Sequence, residues 1–206
     1  MNKKNIFDLY CSRNVIGQYN LGVSYRDGID IEQDYSKAFG WFYKAAEKGF
    51  DQAQYNLGSM YKEGLGVIQN YGKAFDWFYK AAEQGFDQAQ YHLGLMYKDG
   101  LGTAQSYDHA FFWFKQAADQ DLAIAKNSLA MMYITSLGVQ QNYQQAFYWL
   151  YQAAKQGLDQ AQYNLGLMYK NSLGVEQSYM NAYVWFNAAA EQGFDQAKLE
   201  VHSSLN

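Results

Sequence analysis

The stretch DQAQYNLG at residues 51–58 returns as DQAQYHLG at 87–94 and again as DQAQYNLG at 159–166. Aligned on its leucine, the phrase anchors five copies at Leu21, Leu57, Leu93, Leu129 and Leu165, a step of 36 residues without a slip. Tryptophan keeps the same step at Trp41, Trp77, Trp113, Trp149 and Trp185. A fixed period in this range, held through five copies, is the signature of a solenoid.

Each copy reads as two helices. In the second, Ala53, Leu57, Met60 and Tyr61 fall at three- and four-residue steps, which predicts a first helix over 52–63 with one apolar face. Asp51 is expected to cap it, with Gln54 as capping-box partner. Gly64 supplies a left-handed residue to end it, and Leu65 folds back on the last turn. Asn70 is expected to cap a second helix whose Tyr71, Ala74, Trp77, Phe78, Ala81 and Ala82 make an inward stripe. Gly85 ends that helix, and Asp87 caps the next copy. Gly22, Gly58, Gly94 and Gly166, with Ala38, Ala74, Ala110, Ala146 and Ala182, mark where helices approach closely.

Neither helix, at about 12 residues, is stable alone, so stacked neighbours share their stability. The copies span 17–52, 53–88, 89–124, 125–160 and 161–196. Residues 1–16 are expected to form an N-terminal cap segment, and 197–206 a C-terminal partial helix or cap. Without such a cap, an apolar edge invites end-to-end self-association.

Composition narrows the class. The 206 residues are 49% hydrophobic, with 20 tyrosines, five tryptophans and no proline, which excludes a disordered chain. The formal charge of −4 is spread along the chain, so no nucleic-acid partner is expected. A single cysteine, Cys11, provides no disulfide framework. No apolar run approaches the roughly 20 residues of a spanning helix. The opening MNKKNIFDLYCSRN has no apolar signal region, so a soluble cytoplasmic protein is expected; a secreted or periplasmic one would need a signal already removed.

Candidate chemistry is thin. GLGV at 64–67 and GLGT at 100–103 lack the lysine and Ser/Thr of a phosphate loop, and their recurrence assigns them to turns. His92, His109 and His202 share no metal-ligand spacing. His92 stands where other copies have Asn20, Asn56 and Asn164, which points to a surface or interface role. Cys11 has no catalytic histidine arrangement around it and is read as terminal packing. Asp27, Glu63 and Asp99 lie beside Arg26, Lys62 and Lys98 as a repeated solvated edge. No catalytic residue, cofactor or metal site is expected, and no enzyme.

The pattern A-x-x-x-L-G-x-x-Y-x-x-G-x-G-V is carried by Ala53, Leu57, Gly58, Tyr61, Gly64, Gly66 and Val67. It is followed by Y-x-x-A-x-x-W-F-x-x-A-A-x-x-G, carried by Tyr71, Ala74, Trp77, Phe78, Ala81, Ala82 and Gly85. Over about residues 17–196 the chain resembles the Sel-one-like repeats, relatives of the tetratricopeptide repeats. The resemblance implies an all-α, right-handed α/α superhelical solenoid whose concave face is lined mostly by first helices. It also implies an adaptor role in protein complexes, with some bacterial members secreted or host-directed. Cysteine-rich bacterial relatives resemble penicillin-binding or hydrolysing proteins, but they carry a cysteine pair in each repeat, and this chain has none.

By analogy with tetratricopeptide packing, the concave positions run in three rows. The copies supply Tyr19, Val23 and Arg26, then Tyr55, Ser59 and Lys62, then Tyr91, Leu95 and Lys98. The fourth offers Asn127, Met131 and Ile134, and the fifth Tyr163, Leu167 and Lys170. Tyrosine and arginine are favoured at binding hot spots, so a protein or peptide ligand is expected across these rows, its acidic groups near the lysines. The other reading is that the tyrosines pack between repeats and the lysines are merely solvated.

The fourth copy departs most, with Ala130, Ile134 and Ser136 replacing glycine, a basic residue and glycine. Either ordinary divergence or an apolar seat for a partner explains it. Asp121 in place of Gly85 and Gly157 predicts a looser or differently angled joint. Phe39, Phe75, Phe111, Phe147 and Tyr183, with Tyr43, Tyr79 and Tyr151, offer a second, convex stripe wherever they stay exposed. The expectation is a non-catalytic protein-interaction scaffold; the alternative is a glycan or cell-wall-binding module, since tyrosine-lined grooves also stack on sugars.

Overall fold

A computed structural model describes residues 14–203, so Cys11 and all but the last residues of the expected 1–16 cap lie outside it. The chain divides into two compact units that meet between Gln105 and Ser106. The first holds α1 (Val15–Asp27), α2 (Tyr35–Ala46), α3 (Asp51–Glu63), α4 (Tyr71–Glu83) and α5 (Asp87–Asp99). The second holds α6 (Tyr107–Asp119), α7 (Ala123–Thr135), α8 (Tyr143–Lys155), α9 (Asp159–Asn171), α10 (Tyr179–Glu191) and α11 (Asp195–Ser203). No strand occurs among the described residues. Inside each unit every helix packs on the next, the adjacent-pair stacking of a helical solenoid.

The packing follows from the small columns. A β-carbon on Gly58 would stand 2.7 Å from Phe78 Cδ1, and one on Gly22 2.6 Å from Phe42. Only a glycine lets the aromatic ring lie flat against the facing helix backbone. Phe42, Phe78, Leu21 and Leu57 are fully buried there, each burial stabilising by about 1.5–3 kcal/mol.

Capping differs between the two helices of a repeat. Second helices are capped as expected: Asn70 Oδ1 accepts from the Lys73 N–H at 2.9 Å, and Asp34, Ser106, Asn142 and Ser178 do the same in their copies. Among first helices only α1 is capped this way within the described residues, Asn14 Oδ1 accepting from the Gly17 N–H at 2.7 Å; α3, α5, α7 and α9 are not. Phe50, Phe86, Leu122 and Leu158 occupy the N-cap without any side-chain bond. Asp51 and Asp87 sit one residue later, each accepting from the next residue's N–H at 2.7 Å. The capping expectation for Asp51 and Asp87 is therefore wrong, because an apolar residue is needed at the cap to dock on the preceding repeat. Tyr19 meets Phe50 at 5.0 Å and Tyr55 meets Phe86 at 5.2 Å, centroid to centroid. Gln54 makes no capping box either; buried, it donates to the Ala46 carbonyl at 3.2 Å and accepts from Gln84 at 2.7 Å.

The turn inside each repeat explains the paired glycines. Gly64 takes φ +73°, and its N–H and that of Leu65 both reach the Met60 carbonyl. Gly66 presses on the preceding repeat, where a β-carbon would stand 2.3 Å from the Tyr35 carbonyl oxygen. These are structural turns. Gln69 reaches back across the same turn to the Lys62 carbonyl at 2.8 Å, as do Gln33, Gln105, Gln141 and Gln177 in their copies.

Asp121 does not loosen its joint. It keeps the glycine conformation at φ +75°, with its N–H on Ala118 and that of Leu122 on Ala117, the bonds Gly157 and Leu158 make one repeat later. Residues 195–203 form the helix α11, packed on α10 and tied to α9 by Lys170 and Glu200 at 2.7 Å.

Candidate binding surface

The row residues expected from the sequence sit four and three residues apart on the first helices, which places each triplet on one helix face. All are half-buried: Tyr19, Val23, Arg26, Tyr55, Ser59, Lys62, Tyr91, Leu95 and Lys98 in the first unit, and Asn127, Met131, Ile134, Tyr163, Leu167 and Lys170 in the second. The tyrosines do pack between elements. Tyr55 lies 5.7 Å from Phe78 and 5.6 Å from His92, and Tyr163 lies 5.6 Å from Phe186 and 5.2 Å from Phe194. Burial pushes the Tyr55 hydroxyl upward in pKa, partly offset by its hydrogen bond to Ser59. Each tyrosine thus braces a joint while keeping one edge outward.

The basic row is largely committed. Arg26 grips Asp27 through two bonds of 2.7 and 2.8 Å and donates to Asn56 at 2.6 Å. The bond to Asp27 raises the arginine and lowers the carboxylate. Lys98 lies 3.5 Å from Asp99, and Lys170 is held by Glu200. Among the described residues no carboxylate lies within ion-pair distance of Lys62.

In the column beside the leucine, sequence reading gave an interface role to His92 and none to its neighbours in the other copies. Asn56, His92, Asn164 and Glu200 all face the preceding first helix: Asn164 donates to Asn127 at 3.0 Å, and Asn56 accepts from Arg26. His92 stacks on Phe78 at 5.2 Å, and burial, then the Lys62 cation, push it down from 6.5 to about 4. Its interface role is as expected. The recurrence of asparagine at the repeat step was the signal available.

The second-helix columns divide between covered and exposed rings. Phe39, Phe75, Phe111 and Phe147 stand nearly perpendicular to Tyr61, Tyr97, Tyr133 and Tyr169 of the next repeat, at 5.2 to 5.4 Å, and so are half-buried. Tyr43, Tyr79 and Tyr151 remain exposed, and so do Phe112, Tyr148 and Val184, one residue on from the phenylalanine column. Among the described residues no group of three or more His, Cys, Asp and Glu could hold a metal, and no helix is long and apolar enough to cross a membrane.

The Sel1 repeat pattern matches five consecutive windows, 15–50, 51–86, 87–122, 123–158 and 159–194. The chain belongs to the Sel1 repeat family. Sel1 repeat proteins generally act as protein-interaction scaffolds and are typically non-catalytic. The structure resembles a protective antigen of uropathogenic Escherichia coli with an SLR fold, at 38% identity and a TM-score of 0.88 over 91% of this chain. This chain spans only 40% of that protein's length. It also resembles a Sel1 repeat protein from Oxalobacter formigenes, at 31% identity and a TM-score of 0.85, over 89% of this chain and 73% of that one. An immunity protein of Pseudomonas aeruginosa, PA5088, shares the fold at 25% identity and a TM-score of 0.56, over 90% of this chain and 67% of that one. No curated protein matches the sequence.

Proposed function

We propose that this Sel1 repeat chain is a non-catalytic scaffold that binds a protein or an extended peptide along the rows of its first helices. The observation that carries the reading is the second unit's row, where Met131, Ile134, Tyr163 and Leu167 are all half-exposed beside one another's helices. Large apolar and aromatic side chains at a fixed step are the composition of an interface core. The first unit's row is more polar, and its cations are already paired, apart from Lys62. Charge from this row therefore orients a partner only weakly, and apolar anchoring carries the affinity.

The test begins with affinity capture from the native cell's lysate and continues with titration of the purified partner. Met131→Asp and Leu167→Asp, each checked for helicity, should weaken binding tenfold or more, because each puts a charge into a desolvated seat. Binding unchanged by both variants would move the interface off the first-helix rows.

A further inference from the structure

Lys126 lines a cavity of about 240 Å³ in the second unit, together with Asp119, Asp121, Tyr148, Trp149 and Gln152. Its side chain is only 4% exposed, while that of its ion-pair partner Asp121 is 80% exposed. An ammonium carries three N–H donors. Asp121 takes one, and no other acceptor among the described residues takes the remaining two. Buried donors of a charged group are costly to leave unmet. Glutamine holds this position in the other complete copies, at Gln18, Gln54, Gln90 and Gln162, so lysine here is a departure that needs a reason.

The cavity offers both signs of polarity at once. Lys126 donates, the Asp119 and Asp121 carboxylates accept, and Gln152 does both. Asp119 is held by Lys115 at 2.6 Å through one oxygen, which leaves the other free to accept. Tyr148 is 51% exposed and stands edge-on to Trp149 at 5.1 Å, giving the cavity an aromatic wall. A carboxylate ligand would be drawn to Lys126 and repelled by two aspartates; a cation would meet the reverse. A neutral ligand whose hydroxyls both donate and accept satisfies every group. The volume falls below the roughly 300–1,000 Å³ of sites for drug-sized ligands, which suits a single ring.

We propose that this cavity binds one ring of a neutral saccharide, with Lys126, Asp121 and Gln152 on its hydroxyls and Tyr148 against its C–H face. The site is separate from the first-helix rows and does not depend on the scaffold reading.

Saturation-transfer NMR on the full chain tests it, with methyl α-glucopyranoside, methyl α-galactopyranoside and N-acetylglucosamine as probes, and acetate and methylguanidinium as charged controls. At least one saccharide should bind at millimolar concentration. Its affinity should fall tenfold or more in Tyr148→Ala and in the double variant Asp121→Gly, Lys126→Gln, which restores the pairing of the other joints. Melting curves establish that both variants are folded. The proposal is overturned by absence of transfer to all three saccharides, by binding that neither variant weakens, or by binding of a charged control alone.

Discussion

Gly58 and Phe78 are packed so that a β-carbon on the glycine would stand 2.7 Å from the ring. The fourth copy handles the same contact with two changes together. Ala130 replaces the glycine, Leu150 replaces the phenylalanine, and both are fully buried in one core cluster. What reads along the sequence as an isolated departure is a compensated pair: the added methyl takes volume that the smaller side chain gives up.

Gly58→Ala alone should therefore destabilise by about 1–3 kcal/mol through overpacking. Combined with Phe78→Leu, it should cost less than the sum of the two single changes. Equilibrium urea unfolding of the four proteins measures the coupling. Strict additivity would sink the compensation argument.

The pair Asp121 and Lys126 makes a second coupled swap. Asp121→Gly leaves the buried ammonium without its carboxylate, so the melting temperature should fall, and Lys126→Gln on top of it should recover most of the loss. The ion pair holds the Asp121 carboxyl below its usual range, with Lys126 as the first cause. A lowered folded-state carboxylate contributes stability above the unfolded value near 3.8, lost as the pH falls through the lower folded value. The wild type should lose its advantage over the double variant only in that acidic range; a difference independent of pH from 7 to 2 would refute the assignment.

His92 gives a dependence at milder pH. It is neutral in the fold because burial and Lys62 hold it at about 4, whereas the unfolded chain protonates near 6.5. Between those values the unfolded state binds more protons, so stability is full above about 6.5 and falls as the pH drops toward 4. The displacement corresponds to about 3 kcal/mol. His92→Asn, the residue used in three other first helices at this column, should flatten thermal stability between pH 6.5 and 4.5 without disturbing the fold.

Ser136 ends α7 at φ +60°, where Gly64 ends α3. Ser136→Gly should stabilise by about 0.5–1 kcal/mol, since the left-handed backbone strains a side chain. The gain is reduced by the lost hydrogen bond from Ser136 Oγ to the Val139 carbonyl at 3.2 Å. Chemical denaturation of the purified variant reads the effect, and a loss of stability would mean that the hydroxyl outweighs the strain.

Much of the fold was legible in residues that answer to local rules. Gly64 and Asn70 act within one turn, and Leu57 and Trp77 each recur at a step of 36 residues, so their roles follow from spacing alone. The errors fell where a residue answers to a neighbour repeat. Asp51 has the chemistry of a cap, but Phe50 takes the position because Tyr19, over thirty residues earlier, gives it a seat. The sequence left open which rings of the phenylalanine column stay exposed; Tyr133 of the next repeat covers Phe111, and the exposed ring is Phe112 beside it.

By itself, then, the sequence determined the family, the helix pairs and the half-exposed rows, because a strict period forces equivalent residues into equivalent places. Only the tertiary structure decided which polar groups are spent within the protein and which remain for a ligand. Arg26 is bound to Asp27 and Asn56, while Lys126 is buried with two donors over. That distinction depends on distances across joints between repeats, where side chains far apart along the chain compete for the same partner, and no spacing within one copy encodes it.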